Sequence, residues 1–133
     1  MSDEFIDTNI VIYSLSQNDS KQDKALRILA SQPVMSVQVL SETISIMRRK
    51  LGFDGVAIRT VIKRISQECI NLQPLTLDTL YSALDIASRY GFSHYDSLIV
   101  AAALQADCTI LYSEDMQHRQ LIEGRMTIIN PFL

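Results

Sequence analysis

Tryptophan is absent from this 133-residue sequence, and cysteine, proline and glycine are scarce, at two, three and four residues. The two cysteines, Cys69 and Cys108, each lie in an apolar stretch. They exclude a disulfide framework and a zinc cluster and fit a reducing cytoplasm. No apolar run nears the roughly 18–20 residues of a membrane span. The longest, Leu98–Leu104, has seven. Met1-Ser2-Asp3-Glu4 offers no basic leader, so no signal peptide is expected. Net charge is small as well: 12 basic and 15 acidic residues give −3, which argues against coating nucleic acid by bulk electrostatics. What remains, 47% apolar and 20% charged residues, suits one globular domain over residues 1–133, without linker or internal repeat.

Short apolar segments alternate with amphipathic ones. Strands are expected at Glu4–Asp7, Pro33–Met35, Ile70–Leu72, Cys108–Tyr112 and Met126–Ile129. A first helix begins after Asp7-Thr8-Asn9, and a second covers Asp19–Ala30 with Leu26 and Leu29 inward. Over Val37–Leu51, the residues Leu40, Ile44, Met47 and Leu51 keep helical spacing, and Gly52 stops the run. Ile58, Ile62, Ile65 and Cys69 repeat that spacing. Thr76–Tyr90 places Leu77, Leu80, Tyr81 and Leu84 inward and stops at Gly91. His94–Gln105 is apolar on nearly every side and reads as a buried helix. This alternation predicts an α/β fold with a mainly parallel central sheet between helices.

In such a sheet, ligands bind beyond the carboxyl ends of the strands. Asp7 closes the first strand and Ser113-Glu114-Asp115 follows the strongest one. Asp96 falls in the first turn of the buried helix, and Glu42 borders the core face of another. Each has a plain structural explanation. Asp7 can cap the first helix, Ser93 and Asp96 have capping-box form, Ser113 and Asp115 can cap a short helix over 116–121, and Glu42 can reach solvent. Together, four carboxylates in one crevice repel and call for a hard divalent cation, Mg²⁺ or Mn²⁺. Arg48, Arg49, Lys50, Arg59, Lys63 and Arg64 fall in a seventeen-residue window whose only acid is Asp54. That window is either a solvated helix face or a patch that guides phosphates.

Phe5-Ile6-Asp7-Thr8-Asn9, Val39-Leu40-Ser41-Glu42, Tyr95-Asp96-Ser97-Leu98-Ile99-Val100-Ala101-Ala102-Ala103 and Leu111-Tyr112-Ser113-Glu114-Asp115 resemble, in order and spacing, the motifs of PIN-domain nucleases. Among these the likeness is to the VapC-like toxins of type II toxin–antitoxin pairs. The resemblance implies strand order 3-2-1-4-5 and an Mg²⁺- or Mn²⁺-dependent endoribonuclease that cleaves with a metal-activated water. Asp7 and Asp96 would hold the cation most tightly, with Glu42 and Asp115 completing the site, Asp115 rather than Glu114 by the usual alignment. Thr8, Asn9 and Ser113 would orient carboxylates or water, while Arg48, Arg49, Lys50, Arg59 and Lys63 would guide RNA. A cognate antitoxin and a homodimer are the implied partners, and no membrane is. Ile10, Val11, Tyr13 and Leu15 either line such an interface or pack in the core. His94 and His118 are read as cap and surface residues.

Other classes fit less well. A phosphoacceptor domain needs paired acids after the first strand and a late lysine, but Thr8 follows Asp7 and no lysine follows Lys63. A haloacid-dehalogenase-type phosphatase needs an acid where Asn9 stands. The four glycines form no phosphate-binding loop. An inactive domain of the same fold serving as a binding module, and an RNA-processing nuclease outside a toxin pair, are the alternatives.

Overall fold

β-Branched and aromatic residues with no internal turn signal make the first strand extended, and burial makes it central. In the computed structural model, which describes residues 3–69 and 71–133, Phe5 and Ile6 on this strand are fully buried. Met1 and Ser2 of the acidic start, and Ile70 of the third expected strand, lie outside the described residues. The chain runs β1 (Glu4–Ile6), α1 (Thr8–Ser14), α2 (Asp19–Ala30), β2 (Val34–Ser36), α3 (Val37–Arg49), α4 (Gly55–Glu68) and β3 (Asn71–Gln73). It continues through α5 (Leu77–Tyr90), α6 (His94–Gln105), β4 (Ile110–Tyr112), β5 (Leu121–Ile122) and β6 (Met126–Ile129).

The strands form one sheet in the order β3-β2-β1-β4-β6-β5, flanked by helices. All neighbours are parallel except the β5–β6 pair. The expected order therefore holds through β4 and on to Met126–Ile129, and one further strand is added at the edge. That strand occupies part of the segment expected to be a short helix after Asp115. Residues Ile122 to Arg125 instead make a tight turn, closed by the Arg125 N–H donating to the Ile122 carbonyl at 3.0 Å. Glu123 and Gly124 have φ of 54° and 64°, as this hairpin turn demands.

Helix faces differ from the sequence expectation in three places. In α2, Ala25 and Leu29 face the core and Leu26 is exposed. In α3, Leu40 and Met47 are buried with Val39 and Thr43, but Leu51 lies beyond the helix and is exposed. In α5 the inward face is Thr79, Ala83 and Ile86, whereas Leu77, Tyr81 and Leu84 are exposed by 63%, 60% and 59%. Small residues decide the last case. Ala83 packs against Leu98 and Ala101 of α6, and the Thr79 hydroxyl donates to Gln105 Oε1 at 2.9 Å. Ile10 and Val11 of α1 are fully buried, so they belong to the core and to no interface.

Candidate active site

The chain lays down β1, β2 and β3 towards one edge of the sheet and then returns to place β4 on the other side of β1. This reversal opens a crevice at the carboxyl ends of β1 and β4. Ile6 pairs with Tyr112, so Asp7 and Ser113 emerge side by side. The Asp7 N–H extends the ladder by donating to the Tyr112 carbonyl at 2.9 Å. Its carboxylate accepts from the Thr8 N–H at 2.6 Å and from the Ser113 hydroxyl at 2.9 Å. Asp7 is thus the cap of α1 and, at 6% exposure, the floor of the crevice.

Glu42 arrives from α3, half-buried. Its Oε2 accepts from the Thr8 hydroxyl at 2.6 Å and its Oε1 from the Gln38 side-chain amide at 3.1 Å. Gln38 also donates to the Tyr95 carbonyl at 3.1 Å, which ties α3 to the start of α6. Asp96 sits in the first turn of α6, where the Ser93 hydroxyl accepts from its N–H at 3.2 Å. Asp115 is exposed and accepts from the Asn9 amide at 2.8 Å. Asp7, Glu42, Asp96 and Asp115 line one cleft of about 300 Å³, together with Ser45 and Arg49. Glu114 turns away and pairs with Lys21 at 2.7 Å.

Against four carboxylates the cleft lining supplies, among the described residues, a single basic residue, Arg49. Among the described residues, none of the ion pairs involves these four carboxylates. Burial raises the Asp7 pKa to about 6, aided by the Asp96 and Glu42 charges and opposed by the Thr8 and Ser113 hydrogen bonds. Burial also raises Asp96, with the Asp115 and Glu42 charges adding to it and the Ser93 hydroxyl opposing. A carboxylate held mostly out of water beside two others is electrostatically incomplete.

The donor set is all carboxylate oxygen, which suits Mg²⁺ or Mn²⁺ over softer metals. Asp7, Asp96, Glu42 and Asp115 fit such an ion by chemistry. Among the described residues, no three acids, histidines or cysteines have closed to a ready-made chelate. Hydrogen bonds from Thr8, Gln38, Ser113 and Asn9 fix the directions of the Asp7, Glu42 and Asp115 carboxylates. Thr8→Val removes the donor that aims Glu42 while keeping the side-chain shape. Mn²⁺ affinity is expected to fall roughly 10–100-fold, as when an orienting partner is lost. Calorimetric titration with Mn²⁺ measures this, and unchanged affinity would remove Glu42 from the site.

The remaining candidates separate. His118 Nδ1 accepts from the Asn130 N–H at 2.9 Å, a structural tie, and the His94 ring packs edge-on against Tyr95 at 5.0 Å. Arg48, Arg59 and Lys63 line a groove of about 540 Å³ between α3 and α4, while Arg49 faces the acidic cleft. Lys50, at the end of α3, is exposed and lines neither. The sequence reading passed over Gln38 and Ser45. Gln38 was findable, because it precedes Glu42 by four residues and so shares its helix face.

The sequence profile of the PIN domain matches residues 5–123. No curated protein gives a match to the sequence. Among solved structures the chain is similar to VapC20 of Mycobacterium tuberculosis, a sarcin–ricin-loop-cleaving toxin. That likeness has a TM-score of 0.68 at 21% identity, over 84% of this chain and 89% of that one. A toxin–antitoxin complex from Klebsiella pneumoniae gives 0.73 at 18%, over 96% and 97%. FitAcB from Neisseria gonorrhoeae gives 0.67 at 16%, over 97% and 98%. At these identities the likeness is one of fold.

Proposed function

We propose that this chain, which belongs to the PIN-domain family, is an Mg²⁺- or Mn²⁺-dependent endoribonuclease acting as the toxin of a toxin–antitoxin pair. One observation carries the reading: a buried Asp7, its pKa raised to about 6, shares a cleft with three further carboxylates. Asp7 and Asp96 hold the cation, and Glu42 and Asp115 complete its surroundings. The bound cation supplies the positive charge that activates a water for attack on phosphorus and offsets charge growing on the phosphate. Thr8, Asn9 and Ser113 keep the carboxylates aimed, and with water as the nucleophile no side chain needs to attack covalently. Arg49, which lines the cleft, meets the scissile phosphate in this reading. Arg48, Arg59 and Lys63 receive the flanking strand along the α3–α4 groove, with Lys50 at its margin.

The toxin role draws support from the toxin and toxin–antitoxin structures that share the fold. A cognate antitoxin is the partner this role requires. The outward apolar face of α5, Leu77, Tyr81 and Leu84, is the surface offered for a homodimer. Among the described residues no helix is long and apolar enough to cross a membrane. Cys69 and Cys108 are both free thiols, in keeping with a cytoplasmic setting.

The test is RNA cleavage by purified protein. Cleavage is expected with Mg²⁺ or Mn²⁺, none in EDTA, and recovery when the ion is restored. Cleavage in EDTA would overturn the cation reading, and no cleavage under any condition would favour an inactive binding module. Growth arrest on expression, relieved by the cognate antitoxin, separates a toxin from an RNA-processing nuclease.

A further inference from the structure

Beside the acid cluster stands a charged group that cleavage leaves unused. Glu114 lies between Ser113 and Asp115 in sequence, yet it does not line the cleft. Both of its carboxylate oxygens are taken. The Tyr13 hydroxyl donates to Oε1 at 2.6 Å and Lys21 Nζ donates to Oε2 at 2.7 Å. Lys21 Nζ also donates to the Tyr13 oxygen at 3.0 Å, which closes a ring of three hydrogen bonds. The ammonium sits 4.5 Å from the Tyr13 ring centroid and 5.6 Å from that of Phe132, and those two rings meet edge to face. From behind, the Asn130 amide donates to the Glu114 carbonyl at 3.4 Å. An isolated surface ion pair contributes little. Here two side chains hold the carboxylate, two aromatic rings face the ammonium that pairs with it, and Asn130 anchors the Glu114 backbone.

We propose that Lys21 and Tyr13 are positioning residues: by fastening Glu114 to α1 and α2 they keep a fifth carboxylate out of the cleft and aim Asp115 into it. The proposal rests on the cation-site reading above. With Lys21 gone, Glu114 is an uncompensated charge one residue from Asp115. It then turns towards the cation, which binds more tightly in the wrong surroundings.

Lys21→Met tests this by Mn²⁺ alone, followed through loss of the free-ion paramagnetic resonance signal, and separately by RNA cleavage. Mn²⁺ affinity is expected to rise about threefold or more from the added negative charge. In a wild type that cleaves, kcat falls roughly 10–100-fold as Asp115 loses its direction, with KM for RNA nearly unchanged. Adding Glu114→Gln to Lys21→Met removes the stray charge and returns both quantities towards wild type, and Lys21→Arg preserves them. A merely structural Lys21 would not be rescued by Glu114→Gln. Unaltered Mn²⁺ affinity in Lys21→Met, or failure of the double variant to restore it, overturns the proposal. Should the wild type bind Mn²⁺ but cut no RNA, the functional reading fails while the Mn²⁺ comparison still decides this one.

Discussion

Asp7→Asn is expected to abolish cleavage and, without a cation, to make the protein more stable. Asparagine keeps the shape, still accepts from the Thr8 N–H, and turns its amide towards the Ser113 hydroxyl. What it lacks is charge, so under the proposed function the cation would lose its most buried carboxylate. Cleavage should fall by a factor on the order of 10²–10³ or more, as when a charge-stabilising group is lost from a preorganised site.

The stability gain follows from the same charge. The Asp7 pKa stands at about 6 in the fold against 3.8 for a free carboxyl. Between those values the folded protein binds more protons than the unfolded chain, so stability falls as pH rises through that window. Above pH 6 the full penalty is present, about 3 kcal/mol for a shift of this size. The cation-free wild type should therefore lose melting temperature between pH 4 and pH 7, while Asp7→Asn stays nearly level. At pH 7 the variant should melt on the order of 10 °C higher. Mn²⁺ should reverse the order. A variant less stable than the cation-free wild type at pH 7 would reduce Asp7 to a helix cap, whose loss costs about 0.5–2 kcal/mol.

The largest loss of stability is expected from Phe5→Ala. Phe5 has no exposed surface and lies on β1, paired with Val34 on one side and Leu111 on the other. Truncating a buried phenylalanine costs about 3–5 kcal/mol, a large part of the 5–15 kcal/mol that holds a typical domain. Urea denaturation should show a much lower midpoint, and Mn²⁺ binding should weaken because Asp7 is two residues away on the same strand end. Leu84→Ala on the exposed face of α5 is the contrast. It should shift monomer stability by no more than about 0.5 kcal/mol, as expected of a surface site. A large loss there would restore Leu84 to the core.

The comparison of α5 with α6 shows where sequence was sufficient. His94–Gln105 is apolar all round, so only a central position accommodates it, and Ser97 through Ala103 are indeed buried. In α5 the widest apolar stripe and the core-facing stripe are different faces. Periodicity detects apolar residues but not which neighbour they meet, and α6 favours a close approach by Ala83 and Ile86 over the bulk of Tyr81 and Leu84. Three of the four acids were readable from the pattern, because Asp7 and Asp115 follow strands and Asp96 opens a helix at the carboxyl ends of β1 and β4. Glu42, in the middle of α3, came only with the family resemblance. The two-residue β5 was not readable, since its turn places Glu123, a residue without strong preference for positive φ, where asparagine or aspartate would have signalled a hairpin. The doublet Glu114-Asp115 also needed the structure. Lys21, which separates the two acids, lies 93 residues away from Glu114 in sequence.

The way the last strands close the sheet bears on how the molecule is made. Ser113, which steadies Asp7, is itself tied by its N–H to the Ile129 carbonyl at 3.0 Å, and β6 flanks β4 over its whole length. During synthesis β1 and α1 emerge early, but the acid cleft they begin is completed only by Asp96 and Asp115, which leave the ribosome much later.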